Sequence, residues 1–176
     1  VIILNFFASV AMIWGQDNPS LLQMAVPSLN IAPDARGGGM GDMGAATLPD
    51  INSQYWNAAK YAFMGSKAGV SLSYTPWLRK LVNDVALVNM TGYYKLGNSD
   101  LQAISASLRY FSLGEVNIWE NIGDVPYGLN PYEMAFDVAY SRKLSESYSM
   151  AVTLRYIRSD MGTDQNDESN AGNAFS

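Results

Sequence analysis

The chain has 176 residues and a net charge of −5 at pH 7, and its 11 Lys and Arg residues are scattered, which argues against a nucleic-acid-binding surface. It contains no cysteine and no histidine, so a Ser-His-Asp triad, a thiol nucleophile and the usual Cys/His zinc sites are excluded. The hydrophobic fraction of 48% fits a globular protein and a small β-barrel equally well, because half of each barrel strand faces the lumen.

The first residues, 1–15, form an apolar run that is too short for a comfortable membrane helix and is interrupted by Asn5. A polar stretch begins at Gln16, as after a secretory signal peptide, although the positively charged start of such a signal is missing. Ile13 lies three positions before the expected cut, where a small residue is usual, so the cleavage site is poorly defined. We interpret 1–15 as the remnant of a signal peptide and expect an exported protein.

A glycine-rich stretch follows, in which Gly39, Gly41 and Gly44 match the G-x-G-x-x-G pattern of dinucleotide-binding loops. That pattern is informative only between the strand and the helix of a βαβ unit. Residues 32–38 do not have the pattern of a strand, and the carboxylate of Asp42 would repel a pyrophosphate. We therefore expect no cofactor, and we interpret the glycines as allowing an irregular segment to pack inside a narrow space.

Five later segments alternate apolar residues with small or polar ones, and tyrosine typically ends the apolar set. In the clearest segment, Met150, Val152, Leu154 and Tyr156 alternate with smaller or more polar side chains. Successive side chains of a strand point to opposite faces, so this period of two gives one apolar and one mostly polar face. The predicted strands cover 68–75, 85–96, 101–113, 134–143 and 149–158.

The tyrosines occur at two levels of the predicted sheet. If the strands run up and down in order, Tyr74, Tyr110 and Tyr156 lie near one end and Tyr94 and Tyr140 near the other. Transmembrane β-barrels have two such aromatic girdles where the membrane meets water. The pattern therefore favours a membrane sheet over a soluble antiparallel sandwich, which remains the alternative.

Loop lengths agree with the membrane interpretation. Short turns at 97–100 and 144–148 alternate with long loops at 114–133 and 159–176. Outer-membrane barrels have short turns on the periplasmic side and long loops outside. We therefore predict an all-β fold, a transmembrane antiparallel β-barrel, with 67–158 as its strands and 159–176 as a polar outer loop.

Three charged residues are predicted to form a row on the inner face of this sheet. A symmetric turn around Glu146 places Asp137 opposite Arg155, and symmetry of the longer loop about Gly123 places Arg109 on the other side of Asp137. Such a row would serve as a binding or hatch-locking site, or it would simply neutralise inward-facing charges.

The outer loops carry more apolar residues than solvated loops need. Exposed apolar loop surface often marks a contact site for a partner. The alternative is that these residues fold over the mouth of the barrel or extend the flanking strands. The candidate partner-binding residues are Trp77, Leu78, Ile118, Trp119 and Tyr127.

The acidic residues outside the predicted strands show no spacing that would hold two carboxyl groups across a scissile bond. We interpret them as solvated loop charges and expect no enzyme. They are Asp34, Asp42, Asp50, Glu115, Glu120, Asp124 and Glu133.

An ordered set of motifs resembles the PorV (LptO) family of outer-membrane proteins. The set begins with IAPDARGGGMGDMGAAT and LPDINSQYWNAAKYAF, and continues through VSLSYTPWLRKLVNDVAL, TGYYKL, ISASLRYFSLGEV and DVAYSRKLSESYSMAVTLRYIRSD. It covers essentially all residues from about 25 to 160 and is far more specific than the individual patterns above.

The resemblance implies a FadL-like barrel whose N-terminal segment, here 16–66, forms a hatch or plug. The stretch NSQYWNAAKYA is similar to the Asn-Pro-Ala hatch motif of the wider superfamily, but it has Ala58 where proline is usual. The hatch residues that the resemblance singles out are Asp34, Arg36, Gly39, Gly41, Gly44 and Asn57.

The resemblance also implies a role in the type IX secretion system, at the cell outer membrane. Members of the family are similar in receiving cargo with a C-terminal signal domain from a translocon barrel. They deliver this cargo to a sortase-like surface attachment complex, and act as carriers rather than enzymes. Outer-membrane lipid, cargo and these two assemblies are therefore the expected partners.

Two other functions stay open at this point. A FadL-like barrel could transport hydrophobic small molecules, and a purely structural membrane protein would have no partner. About five strands cannot close a barrel, which takes at least about eight. We therefore expect an N-terminal fragment, truncated within its barrel, with an open sheet whose first and last strands are edges.

Overall fold

The computed structural model describes residues 26–77, 84–97, 101–118, 127–163 and 169–176, so the predicted signal remnant lies outside the described residues. Within these ranges the strands are β1 (Ala68–Pro76), β2 (Val85–Leu96), β3 (Gln102–Leu113), β4 (Val116–Ile118), β5 (Tyr127–Leu129), β6 (Tyr132–Lys143), β7 (Ser149–Thr163) and β8 (Ser169–Phe175). Six of them form one antiparallel sheet in the order β1-β2-β3-β6-β7-β8, and β4 pairs with β5 in a separate hairpin.

Before β1 the described chain, 26–66, contains short helices and turns. It has 3-10 helices at Pro27–Asn30 and Ala58–Phe63, and the short α-helices α1 (Ala35–Gly39) and α2 (Ser53–Trp56). We call 26–66 the N-terminal segment. No helix in the described ranges is both long enough and apolar enough to cross a membrane.

The sheet is open, with β1 and β8 as its edges, as the sequence predicted. The expected number of strands was wrong, because 159–176 is not only a polar loop: β7 continues to Thr163 and β8 follows. Residues 169–175 are mostly small and polar, so strand propensity gives little signal there. Pairing with β7 supplies the ladder, from Tyr156 opposite Phe175 to Asp160 opposite Ala171.

The two faces of the sheet are reversed relative to those of a soluble protein. The apolar face is bare, with Leu72 at 72%, Leu154 at 70% and Leu108 at 43% exposure. The opposite face of the sheet is covered by the N-terminal segment, although many side chains on this face are polar or charged. Its buried polar residues include Asn89, Thr91, Lys95, Ser105, Ser107, Arg109, Glu133, Asp137 and Ser141.

A buried cluster around two tyrosines lies between the N-terminal segment and the sheet. Tyr61 and Tyr93 stack with their ring centroids 4.9 Å apart. Ala58, Ala103 and Ala139 surround them as buried small residues. The small alanine side chains let the second 3-10 helix approach the sheet closely, so this cluster holds the N-terminal segment on the polar face.

Tyrosines lie in two rows on the bare face. Tyr94 and Tyr140 flank Ile104 in one row, and six residues further along β3 Tyr110 shares a row with Val88 and, beyond it, Tyr74. The rows are therefore about 20 Å apart along the strand. Tyr156 is closer to the middle than expected, because it lies opposite Phe136 rather than in the row of Tyr110.

Candidate functional site

A single residue of the N-terminal segment is held by two buried charged side chains of the sheet. The backbone N–H of Ser28 donates to the carboxylate Oε2 of Glu133 at 3.1 Å, and its carbonyl accepts from Arg109 Nη1 at 3.2 Å. Glu133 and Arg109 are only 2% and 5% exposed. The Arg109 guanidinium also lies over the Tyr55 ring, 4.4 Å from its centroid. Adjacent strands β3 and β6 therefore fix the start of the segment.

A second anchor joins α2 and the following 3-10 helix to β3. Ser105 Oγ donates to Gln54 Oε1 at 2.6 Å. The Tyr61 hydroxyl accepts from the Gln54 N–H at 2.9 Å and donates to the Ile51 carbonyl at 2.8 Å. Burial raises the pKa of Tyr61 well above its usual value, so this phenol stays neutral and keeps its donor.

Lys60 ties the glycine-rich stretch to the second 3-10 helix. Its Nζ donates to the Gly44 carbonyl at 2.8 Å and to Thr47 Oγ1 at 3.1 Å. Burial lowers the pKa of Lys60 below its usual value, and the nearby charge of Asp50 opposes this shift. A turn of the N-terminal segment is thus closed by a buried amine.

The residues attributed to a hatch are spread over the N-terminal segment. Asp34 caps α1 by accepting from the Gly37 N–H at 2.8 Å, and Arg36 pairs with Asp50 at 3.4 Å on the surface. Asn57 caps the second 3-10 helix through the Ala59 N–H at 3.1 Å. These contacts shape the segment itself and do not reach the sheet.

The three glycines of the G-x-G-x-x-G match have different environments. Gly39 ends α1 and Gly41 has a left-handed φ of 76°, with open space where a side chain would lie. Gly44 lies directly against the indole of Trp56. Residues 26–34 contain a 3-10 helix and no strand, so the βαβ context of a dinucleotide loop is not present in this part of the described chain.

Gly44→Ala is expected to destabilise the N-terminal segment by about 1–3 kcal/mol, because the new methyl group overlaps the Trp56 ring. Asp34 limits how far that ring can shift, since its Oδ1 accepts from Trp56 Nε1 at 3.4 Å. Gly38→Ala is the matched control, since its Cβ would enter open space and alanine favours the helix. Urea unfolding, monitored through the protease sensitivity of the N-terminal segment, measures the stability of both variants. Equal stability of the two variants would contradict this packing.

The register of β6 and β7 brings Asp137 and Arg155 together, as the turn around Glu146 predicted. Arg155 donates through Nε to Asp137 Oδ1 at 2.6 Å and through Nη2 to Oδ2 at 3.0 Å. This is the two-bond geometry in which a guanidinium recognises a carboxylate most strongly. Asp137 is 5% exposed, so the pair lies mainly under the N-terminal segment.

The predicted position of Arg109 in the charge row is wrong. Ser107, not Arg109, lies opposite Asp137, and its hydroxyl donates to Asp137 Oδ2 at 3.3 Å. Arg109 lies opposite Ala135, which is two residues further along β6. The paired residues of β3 and β6 are symmetric about the residue before Gly123, not about Gly123 itself. Because a shift of this centre by one residue moves each partner by two residues, the register differs by two. The face stays the same, but Arg109 binds Ser28 instead.

The candidate partner residues are only partly described. Trp77 lies edge-on to Phe111, with 6.1 Å between ring centroids, so it packs partly on the covered side. The backbones of Ile118 and Tyr127 pair at the far end of the β4–β5 hairpin. Leu78 and Trp119 lie outside the described residues. The structure therefore does not bring the five candidates into one described surface.

Several anchoring residues were not predicted from the sequence. Glu133 was assigned to a solvated loop, but it belongs to β6 and is buried. Counting back in steps of two from Asp137 would have placed it on the inner face. Gln54, Tyr55 and Tyr61 give no such signal, because their partners are determined by tertiary packing.

Together these contacts define a mostly β protein whose six-stranded sheet is open and antiparallel, with its polar face covered by the N-terminal segment. The family model described as Type IX secretion system protein PorV matches residues 15–176. The chain belongs to the PorV family, which confirms the resemblance seen in its motifs. No curated protein matches the chain.

Membership of the family gives the chain a role in the type IX secretion system and associates it with the outer membrane. It also implies interaction with the secretion machinery and its cargo. The family consists of secretion-system components and is not known for enzymatic activity.

Proposed function

We infer that the protein is an outer-membrane carrier of the type IX secretion system. In this proposal it receives cargo bearing a C-terminal signal domain from the translocon barrel. It then delivers the cargo to the sortase-like attachment complex at the surface. The main sheet is part of a FadL-like transmembrane β-barrel, and the N-terminal segment is the hatch inside its lumen.

The observation that carries the membrane part of this proposal is the reversal of the two faces. Apolar side chains are bare, whereas buried charges such as Arg109 and Asp137 lie beneath the N-terminal segment. Water would oppose that arrangement, but a lipid bilayer outside a polar lumen favours it. The central strands β2, β3 and β6 have 12 residues each, enough for the roughly 9–11 that a tilted transmembrane strand needs.

The edges of the sheet support barrel closure. In lipid, the unpaired N–H and C=O groups of β1 and β8 would each cost several kcal/mol. Pairing of these two edges with strands outside the described sheet would remove that cost. An open sheet of this kind is therefore understandable as one wall of a closed barrel.

The β4–β5 hairpin is the proposed contact region for partners. It connects β3 to β6 at the end of the sheet marked by Tyr110, and Val116 on it is 45% exposed. Leu129 packs at Gly162 of β7, which fixes the base of the hairpin on the sheet. We propose partner contacts for Trp77, Leu78, Ile118, Trp119 and Tyr127, of which Leu78 and Trp119 lie outside the described residues.

Co-purification tests the carrier function. The full-length protein, tagged in an outer loop, is extracted from outer membranes in mild detergent, and bound proteins and lipids are identified by mass spectrometry. We expect exported proteins that share a C-terminal domain, together with translocon or sortase-like subunits. A stoichiometric apolar small molecule without these proteins would contradict the carrier function and support a FadL-like transporter.

A comparison of two double variants tests whether the hairpin contacts the cargo. Ile118→Ala combined with Trp119→Ala is expected to reduce cargo recovery, because it removes two of the large apolar residues proposed to contact partners. Leu144→Ala combined with Tyr148→Ala removes large apolar side chains from the turn at the opposite end of β6 and is expected to leave recovery unchanged. Equal recovery from both variants would contradict the proposed contact region.

A further inference from the structure

A shallow groove lies in the bare face of the sheet, between the two tyrosine rows. Its volume is about 670 Å³, and its exposed lining is almost entirely apolar. Gly92 and Ala106 lie opposite each other on β2 and β3 and line the groove with little or no side chain. Ser105 and Ser107 also border it, although both are buried on the covered face, so the groove reaches the backbone of β3.

The groove lies inside the sheet and not at its edge. Val70 on β1 and Val138 on β6 flank its centre on the two sides. Pairing of the β1 edge with a further strand would therefore leave the groove open. Towards the short turns the groove ends at Tyr94 and Ile104, which belong to the first tyrosine row.

Arg142 supplies a positive charge just beyond that tyrosine row. It follows Tyr140 by two residues on β6, so it belongs to the same bare face, and it is exposed. Its side chain has no ion pair or hydrogen bond with a described residue. Arg142 lies opposite Gln102, four residues before Ala106 on β3. The charge is therefore about 13 Å from the centre of the groove along the strands.

The order along the strands is an apolar groove, a row of aromatic side chains and an unpaired cation. A phospholipid has the same order, from its acyl chain through its ester region to its phosphate. Tyrosines are typical of the level at which head groups meet the hydrocarbon. A guanidinium forms strong, paired hydrogen bonds with phosphate oxygens, and basic residues at a membrane surface attract anionic lipid. Charge and shape therefore favour the same occupant.

We propose that the groove binds an acyl chain of an anionic phospholipid whose phosphate accepts hydrogen bonds from Arg142. Such a lipid fills the depression over Gly92 and Ala106 and neutralises the exposed guanidinium. The proposal rests on the membrane part of the proposed function, that is, on lipid contact of the bare face. It does not rest on the delivery of cargo.

Native mass spectrometry of the full-length protein in detergent tests the proposal. The probes are dioleoyl phosphatidylglycerol and dioleoyl phosphatidylethanolamine, which have the same acyl chains but differ in net charge. We expect saturable binding of one phosphatidylglycerol, about fivefold tighter than phosphatidylethanolamine, as one basic residue near a membrane surface provides. Glycerol phosphate, which lacks the acyl chains, should not compete.

A failure of this site is distinguishable from a failure of the membrane assignment. Lipid uptake without saturation or head-group preference would overturn the site, while oxygen collisions with a spin label at residue 108 in membranes would still report lipid contact. Absence of those collisions would contradict the site and the membrane assignment together.

Variants of Arg142 assign the head group. Arg142→Gln should abolish the preference for phosphatidylglycerol, and Arg142→Lys should retain most of it because the charge is kept. Arg158→Gln is the matched control, since Arg158 lies on the bare face in the row of Tyr110 and is paired with Asp160 at 3.3 Å. It should leave the preference unchanged. An unchanged preference in Arg142→Gln would overturn the proposal.

Variants of the floor assign the acyl chain. Ala106→Phe fills the groove and should weaken the binding of both lipids without changing their ratio. Ala86→Phe is the matched control, because it makes the same change on the bare face of β2 outside the groove. Equal lipid affinities of these two variants would overturn the proposal. Loss of a co-purifying membrane protein from Ala106→Phe, with lipid binding intact, would identify a protein as the occupant instead.

Discussion

Leu108→Arg is expected to prevent stable assembly of the protein in the outer membrane, whereas Leu144→Arg is expected to leave assembly intact. Both leucines are exposed, at 43% and 52%. Leu108 lies between the two tyrosine rows, while Leu144 follows β6 in the turn to β7. An arginine on the lipid face costs about 2–4 kcal/mol near the bilayer centre and about 0–1 near its surfaces.

The fraction of heat-modifiable, folded protein in isolated membranes measures this difference. Both variants add the same charge at similarly exposed leucines, so a general effect of charge on export would appear in both. If Leu108→Arg assembles as well as Leu144→Arg, the bare face is not in contact with lipid.

Asp137→Ala is expected to lower the stability of the folded protein by about 2–3 kcal/mol. The substitution leaves the guanidinium of Arg155 without its two hydrogen bonds and removes the acceptor of Ser107. Breaking a fully buried pair costs about 3–5 kcal/mol, and the 26% exposure of the Arg155 side chain reduces the loss. Urea unfolding and the temperature at which the folded form disappears on gels measure the effect.

Glu146→Ala is the matched control for this prediction. It also removes one carboxylate from an ion pair, with Lys143 at 2.9 Å, but the Glu146 side chain is 93% exposed. We expect a change below about 1 kcal/mol, because water screens exposed pairs. The double variant Asp137→Ala with Arg155→Ala should be less destabilised than the sum of the single variants. Equal effects of Asp137→Ala and Glu146→Ala would exclude a stabilising role for the buried pair.

Strands with strong alternation were the features that the sequence predicted best. In β3 and β6 the apolar residues recur every second position and tyrosines close the set, so the local pattern alone defines a strand and its faces. The pairing of Asp137 with Arg155 was also predictable, because a short turn leaves few possible registers.

Features that depend on distant pairing were not predicted. β8 consists largely of small and polar residues, and it becomes a strand because β7 offers an unpaired edge. The β4–β5 pairing within the long loop was not predicted, and β3 pairs with β6 two residues away from the predicted register, so Arg109 was misplaced. The contact of Ser28 with Glu133 joins residues 105 positions apart, and no local pattern records it.

The central claim is that the bare face of the sheet contacts lipid while the covered face contacts the N-terminal segment. The chain has no cysteine, so spin labels can be attached to single cysteines introduced at Ser105, Ala106, Ser107 and Leu108. In outer membranes, collisions with oxygen report lipid and collisions with a water-soluble nickel complex report solvent. We predict oxygen accessibility at 106 and 108, and protection from both agents at 105 and 107. Greater accessibility of 106 and 108 to the nickel complex than to oxygen would contradict lipid contact of the bare face.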